Sequence, residues 1–394
     1  MSERIIYMDH AATTPLHPSV VEAMLPAMTA SFGNPSSVHA LGRAALAALD
    51  DARREIAARL GCAPREIIFT GGGSEADNLA IRGAALAARE KGRGAHIITT
   101  AVEHHAVLHT VEALGRHFGF ETTVLPVDGS GRVSVNDVAA ALRPDTVLVS
   151  VMLANNEIGT LQPVAEIARL AHERGALVHT DAVQAGGVLD IHVEQLGVDM
   201  LSLAAHKFYG PKGVGILYVR QGTPLLPTIT GGSQERNRRA GTENIPGIVG
   251  AAAALAWSQG QRADGAARLA RLRDRIIQGV LTQVPDVVLT GHPTERLPGL
   301  ASFAIGGLSG AEELLLGLDL AGIAASSGSA CTSASLEPSY VLRACGLPSA
   351  LAVGSLRLSL GYENTDADVD HLLATLPPLV ERLRVLARMM QSPA

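Results

Sequence analysis

Lys207 and Lys212 stand five residues apart in His206-Lys207-Phe208-Tyr209-Gly210-Pro211-Lys212-Gly213, and the chain has one other lysine, Lys91. The remaining 29 of its 32 basic residues are arginine. Arginine stays protonated in a protein, whereas lysine can lose its proton and attack a carbonyl. A lysine in such an arginine-rich chain, after an apolar run and before a Gly-Pro-Lys-Gly turn, is a candidate Schiff-base nucleophile. The plainer alternative is a surface lysine in a loop.

Other residues carry compatible chemistry. Gly71-Gly72-Gly73-Ser74-Glu75 follows a strand pattern and opens a helix. Backbone amides there, with the Ser74 hydroxyl, would make a phosphate cradle, although a tight strand-to-helix turn needs glycine anyway. The spacing is neither Gly-x-Gly-x-x-Gly nor a Walker loop, which argues against a dinucleotide or nucleoside triphosphate. Asp181 ends a strand; it could pair with a protonated ring nitrogen, with Gln184 one turn on reaching a ring oxygen, or it could cap a helix. His105 and His109 are spaced i, i+4, but no glutamate follows the first histidine and no third ligand is evident, so no metal site is expected. His104 reads better as a ring-stacking acid/base, with His105 and His109 structural. Cys331 lies among small residues, Ser326 to Ser335, ahead of Pro338. Such a segment is expected to be exposed and mobile, which suits a nucleophilic thiol better than a core cysteine. Cys62 and Cys345, each beside glycine at a helix end, are expected to be structural. Arg357 could clamp a carboxylate bidentately, or form an ion pair at a sheet edge.

The elements that must position these groups alternate. Helical stretches at Ala40–Leu60, Glu75–Arg89, His105–Phe118 and Val164–Arg174 separate apolar, β-branched runs. The runs are 66–70, 96–100, 122–126, 146–151, 176–180, 200–203 and 214–219. This pattern predicts an α/β fold with a mostly parallel seven-stranded sheet covered by helices. Ligands bind beyond the carboxyl ends of such strands. A glycine-rich stretch, Gly231–Gly241, interrupts the pattern, and an Ala-rich helix follows at Ile248–Trp257. From about residue 258 the character changes: a charged helix (Arg262–Val280), strands at 286–290, 301–305 and 355–360, a helix at Ala311–Ala321, and a last helix from Asp366 to about Met389 behind Thr365. A large domain over 15–257 is expected, with a smaller α+β domain formed by 1–14 and 258–394.

Bulk properties narrow the class. A chain of 394 residues, 47% hydrophobic with a mean hydropathy of +0.22, can bury a large core. No run is apolar for a bilayer's thickness, and residues 1–9 lack the apolar region of a signal peptide. A net charge of −6 argues against nucleic acid as a partner. Three scattered cysteines give no disulfide framework, which points to a reducing, cytoplasmic setting.

Amine, ring-nitrogen acid, stacking ring, phosphate cradle and carboxylate clamp together suit pyridoxal 5'-phosphate (PLP), with a thiol in addition. Motifs along nearly the whole chain carry a resemblance. They are Tyr7-Met-Asp-His-Ala-Ala-Thr-Thr-Pro15, Gly33-Asn-Pro-Ser-Ser-Val-His39, Val102-Glu-His104, Asn155-Asn-Glu-Ile-Gly159, His179-Thr-Asp-Ala-Val-Gln184, His206-Lys207, Gly241-Thr-Glu-Asn244, the Cys331 segment and Leu356-Arg-Leu-Ser-Leu-Gly361. In these the chain closely resembles the cysteine desulfurases of the NifS/IscS type, class V aminotransferase relatives among fold-type I PLP enzymes.

The resemblance implies a homodimer that takes sulfur from L-cysteine, leaves alanine, and passes a Cys331 persulfide to an acceptor or iron–sulfur scaffold protein. Lys207 would hold PLP covalently, His104 would stack on it, Asp181 would pair with its nitrogen and Gln184 with its phenolic oxygen. Gly73, Ser74 and His206 would hold the phosphate, helped by Thr242 of the other subunit. Asn155 and Arg357 would bind the substrate carboxylate. The resemblance implies no resident metal; Cys331 is the residue that would ligate a transferred iron–sulfur cluster. The long Cys331 segment looks like the extended-loop group rather than the SufS-like one. Two departures stand out: His10 replaces a frequent Asn, and Ala204 replaces a serine that supplies a phosphate hydroxyl in many relatives. Ser202 would substitute only if its strand register is regular. A selenocysteine lyase or another class V aminotransferase is the alternative.

Overall fold

A computed structural model describes residues 4–328 and 338–391. Its strands, in chain order, are β1 (Ile6–Tyr7), β2 (Ile67–Thr70), β3 (His96–Thr100), β4 (Glu121–Leu125), β5 (Thr146–Ser150), β6 (Leu177–Asp181), β7 (Met200–Ala204), β8 (Gly215–Val219), β9 (Val287–Thr290), β10 (Leu300–Ile305), β11 (Ile323–Ala324) and β12 (Ser355–Ser359). Seven of them form one sheet in the order β2-β8-β7-β6-β5-β3-β4. Each of the seven apolar runs is one of these strands. Only β8 runs against its neighbours, pairing antiparallel with both β7 and β2. All the others point one way, so the chain leaves β2, β3, β5, β6 and β7 at the same edge of the sheet. Side chains just beyond those strand ends share one space.

Most of these strands are buried along their length, because helices cover both faces. Helices Gly73–Glu90 and His105–Phe118 pack against one face around Leu79, Ile81, Val107 and Leu114. Ala40–Leu60 and Val164–Glu173 pack on the other around Leu49, Ile56, Ile167 and Ala171. The three-stranded antiparallel sheet β12-β10-β9 has its own core, built by Phe303, Ile305, Leu356, Leu358 and the closing helix Asp366–Gln391. Met8 belongs to that second core, and β1 pairs in parallel with β11. The N-terminal segment is therefore bound to the C-terminal part of the chain.

The structure corrects one reading. The two helices expected on either side of residue 258 are one helix, Ile245–Gln283. It packs Ile248 and Leu255 into the core of the large sheet, and Leu272 and Ile276 into the core of the small one. Ser258 and Gly260 are weak helix formers that break the local pattern. Burial at both ends of the helix outweighs that weakness.

Candidate active site

A cavity of about 430 Å³ opens at the carboxyl edge of the large sheet. Lys207, His104, Asp181, Gln184, Gly73, Ser74, His206 and Arg357 all line it. Each arrives for a local reason. His104 caps helix His105–Phe118, its Nδ1 accepting from Ala106 N–H at 3.1 Å. A neutral His104 ring therefore carries its hydrogen on Nε2. Asp181 is the last residue of β6, and its Oδ1 accepts from Val183 N–H at 2.9 Å. Lys207 ends the single 3-10 turn after β7, and its Nζ donates to Ala11 O and Ala12 O, both at 2.7 Å. Gln184 donates through Nε2 to the same Ala11 carbonyl at 2.9 Å. Helix Gly73–Glu90 starts at the glycine turn, and a Cβ on Gly73 would lie 2.9 Å from Val183 Cγ2. A side chain there would crowd Val183 and Ala204, so one of them or the turn would have to shift.

A more open recess adjoins the cavity and shares Ala12, Gly73, Ser74 and His206 with it, adding Thr13, Gly71, Lys212 and Gly213. Amides at a helix start, a serine hydroxyl and a lysine make this the anion end. His206 Nδ1 lies 3.2 Å from Thr13 Oγ1, and burial, then the two lysine charges, brings His206 down to about 4, so it is neutral at pH 7.

At the other end, Arg357 is 2% exposed. Its Nη1 donates to Asn156 O and its Nη2 to Asp9 Oδ1, both at 2.9 Å, and Nε is buried with no partner among the described residues. Asn155 does not reach the cavity. It is fully buried, Nδ2 donating to Val102 O at 2.8 Å and Oδ1 accepting from Glu157 and Ile158 N–H at 2.8 and 2.9 Å. Its amide is spent on folding the turn, so the substrate-binding role expected for it is corrected. Asn156 lines the cavity instead, with a buried Oδ1 that has no partner among the described residues.

Thr242 is exposed and lies outside the cavity of its own chain. Cys331 falls outside the described residues, but the chain on both sides of 329–337 is at the cavity: Gly328 and Tyr340 line it. His105 and His109 stack at 4.6 Å, and His105 stacks on Tyr340 at 4.6 Å. These two histidines build a wall. Burial pushes the thiols of Cys62 and Cys345 up to about 12, as structural cysteines require. The register of β7 is regular, so Ser202 shares the face of Ala204. It is nonetheless fully buried, bonded by His179 Nε2 at 3.0 Å, and supplies no hydroxyl to the cavity. His10 is buried, bonding Ser359 O at 3.1 Å and facing Glu363. It ties the N-terminal segment to the small sheet.

The residues fit PLP. Asp181 is a buried carboxylate on the cavity wall with no ion pair within bonding distance among the described residues. A protonated ring nitrogen would give it a direct ion pair, beside the charges of His104 and Lys207. Lysine, stacking ring and anion cradle lie around that carboxylate in the same cavity.

Fold and site place the protein in a class, and the comparisons agree. Residues 6–372 match the family model "Aminotransferase class-V", and the chain belongs to that family. It is 51% identical to a protein of Methanosarcina thermophila named cysteine desulfurase IscS, covering 97% of this chain and 93% of that one. It is 49% identical to a protein of the same name from Dictyoglomus turgidum, over 98% and 97% of the two chains. A solved NifS-like protein superposes with a TM-score of 0.89 at 36% identity, covering 96% of this chain and all of the other.

Proposed function

We propose that this chain is a PLP-dependent cysteine desulfurase, converting L-cysteine to L-alanine and a persulfide on Cys331. One observation carries the reading: Lys207, Asp181, His104 and Gln184 converge in a cavity whose wall includes residues on both sides of the Cys331 segment. An aminotransferase would have no use for a thiol there.

PLP, when bound, supplies an electron sink for a substrate carbanion. Asp181 would face its nitrogen, His104 and Gln184 its ring, and Gly73, Ser74 and His206 its phosphate. The residues of the chain do the rest. Lys207 Nζ is the one lysine amine among the described residues lining the cavity, and it moves the α-proton. Arg357 holds the carboxylate of the amino acid, and Asn156, whose Oδ1 has no partner among the described residues, lines the same cavity. The Cys331 thiol, ordinarily near ~8.5, is deprotonated by a neighbouring base; His104 is the candidate and can take that proton only when its Nδ1 gives up the Ala106 N–H. Its thiolate takes the substrate sulfur.

A homodimer is part of the proposal. Val21, Leu25, Met28, Phe32 and Val38 leave an apolar strip exposed along helix Pro18–Thr29 and the chain after it, Val38 being 89% exposed. Such a strip is normally covered by a partner. Thr242, exposed in its own subunit, is then free to complete the anion recess of the second copy. An iron–sulfur scaffold or another sulfur acceptor, and the cytoplasm as the site of action, belong to the same reading. No helix among the described residues is long and apolar enough to cross a membrane.

The test is product analysis. Purified protein given L-cysteine and a reductant should release alanine and sulfide in equal amounts, and Cys331→Ala should release almost none. Turnover of L-cysteine by Cys331→Ala at the wild-type rate would leave another class V activity as the answer.

A further inference from the structure

A second buried carboxylate, Asp77, stands beside the one that faces the cavity. It lies in the first turns of helix Gly73–Glu90, is 1% exposed and lines the same cavity, yet its Oδ1 has no hydrogen-bond partner among the described residues. The basic group within ion-pair range is His179, whose Nε2 is 3.6 Å away. That histidine is fully buried between two hydroxyls, Ser150 Oγ at 2.9 Å from Nδ1 and Ser202 Oγ at 3.0 Å from Nε2. Burial takes it down to about 3, so it is a neutral neighbour at pH 7. The Ser202 hydroxyl is also a neighbour of the Asp77 carboxyl. His179 and Asp181 are two residues apart on β6, and Ser202 on β7 is in register with Asp181. The whole row therefore lies on one face of the sheet, under helix Gly73–Glu90.

Two carboxylates sharing a buried site do not both ionise. Burial pushes Asp181 up as well, but Asp181 faces His104 and Lys207 and accepts the Val183 N–H, all of which favour its charge and none of which faces Asp77. Asp77 faces Asp181 and His179 from β6, Glu103 from the turn after β3, and the Ser202 hydroxyl from β7. None of those is a cation. Burial, then the Asp181 charge, holds Asp77 well above the ordinary carboxylate range. We propose that Asp77 is a positioning residue, a carboxylic acid kept protonated beside the cavity so that the negative charge of the pair resides on Asp181. The inference deepens the PLP reading, because it is Asp181 that would meet the ring nitrogen. Its test does not depend on that reading, since it uses apoprotein.

Infrared spectra of apoprotein at pH 7 separate the two carboxyls, because a protonated acid has a carbonyl stretch well above the carboxylate band. The wild-type-minus-Asp77→Asn difference spectrum should contain that acid band and no carboxylate band. A carboxylate band in that difference, or no acid band, overturns the proposal. If Asp77→Asn does not fold, Ser202→Ala serves instead: it should shift the acid band by removing the neighbouring hydroxyl, and an unshifted band overturns the assignment. Stability against pH gives a second readout that a structural role would not move. A group whose folded pKa is raised loses its stabilising contribution as pH climbs above its unfolded value, ~3.9 for Asp. The urea midpoint of wild type should therefore fall relative to that of Asp77→Asn as pH rises from 5 to 8. A gap constant with pH overturns the proposal.

Discussion

Arg357 Nη2 lies 2.9 Å from Asp9 Oδ1, a charge-assisted bond between the small sheet and the N-terminal segment, with the arginine almost wholly buried. It places a guanidinium on the cavity wall already oriented, with Nη1 and Nη2 committed to protein and Nε without a partner among the described residues. An oriented arginine loses little freedom when it takes a carboxylate.

Arg357→Lys keeps the charge but cannot hold Asp9 and the Asn156 carbonyl together. The KM for L-cysteine should rise roughly tenfold or more, equivalent to about 1.4 kcal/mol of binding, with a smaller effect on kcat. Steady-state alanine release measures both. An unchanged KM would make Arg357 a purely structural tie.

The two adjacent asparagines should separate cleanly. Asn155→Ala strands Val102 O and two N–H groups and should cost about 1–3 kcal/mol in urea unfolding. Asn156→Ala should leave the urea midpoint nearly unchanged and raise the KM for cysteine. The opposite pattern would restore the substrate role to Asn155.

Arg53 and Glu235 form a buried bidentate pair, Nη1 to Oε2 at 2.8 Å and Nη2 to Oε1 at 2.7 Å, with Phe69 N–H also on the carboxylate. The pair anchors a left-handed stretch, Glu235, Arg236 and Asn237 at φ of 45°, 57° and 61°. Removing one charge leaves the other buried alone, so Arg53→Ala should destabilise by about 3–5 kcal/mol in chemical denaturation. Replacing both by apolar residues should cost less than the single change.

Burial disfavours the thiolates of Cys62 and Cys345, each pushed up to about 12. At pH 8 such a thiol is ionised to the order of 10⁻⁴. Iodoacetamide should therefore modify Cys331 first, and Cys331→Ala protein should react slowly until the pH approaches 10. Peptide mass spectrometry reads the order. Rapid labelling of Cys62 or Cys345 at pH 7 would contradict their burial.

Much of this protein is determined locally. Six of the seven runs that became β2 to β8 were legible because a strand buried on both faces is largely apolar, and the exposed edge strand β4 was legible from its β-branched residues. The helix starts at Gly73 and His105 were legible because glycine turns and capping side chains act over a few residues. Lys207, Asp181 and His104 were legible because each follows or ends a strand whose carboxyl edge is the ligand edge. What the sequence alone could not decide is non-local. Helix Ile245–Gln283 runs through Ser258 and Gly260 because two separate cores bury its two halves. Asn155 and Asn156 are chemically identical, and only the turn that satisfies the first leaves the second facing the cavity. Asp77 and His179 carry no local mark at all. Their roles arise where a helix is laid over β6 and β7, and burial there decides which of two carboxyls keeps its proton.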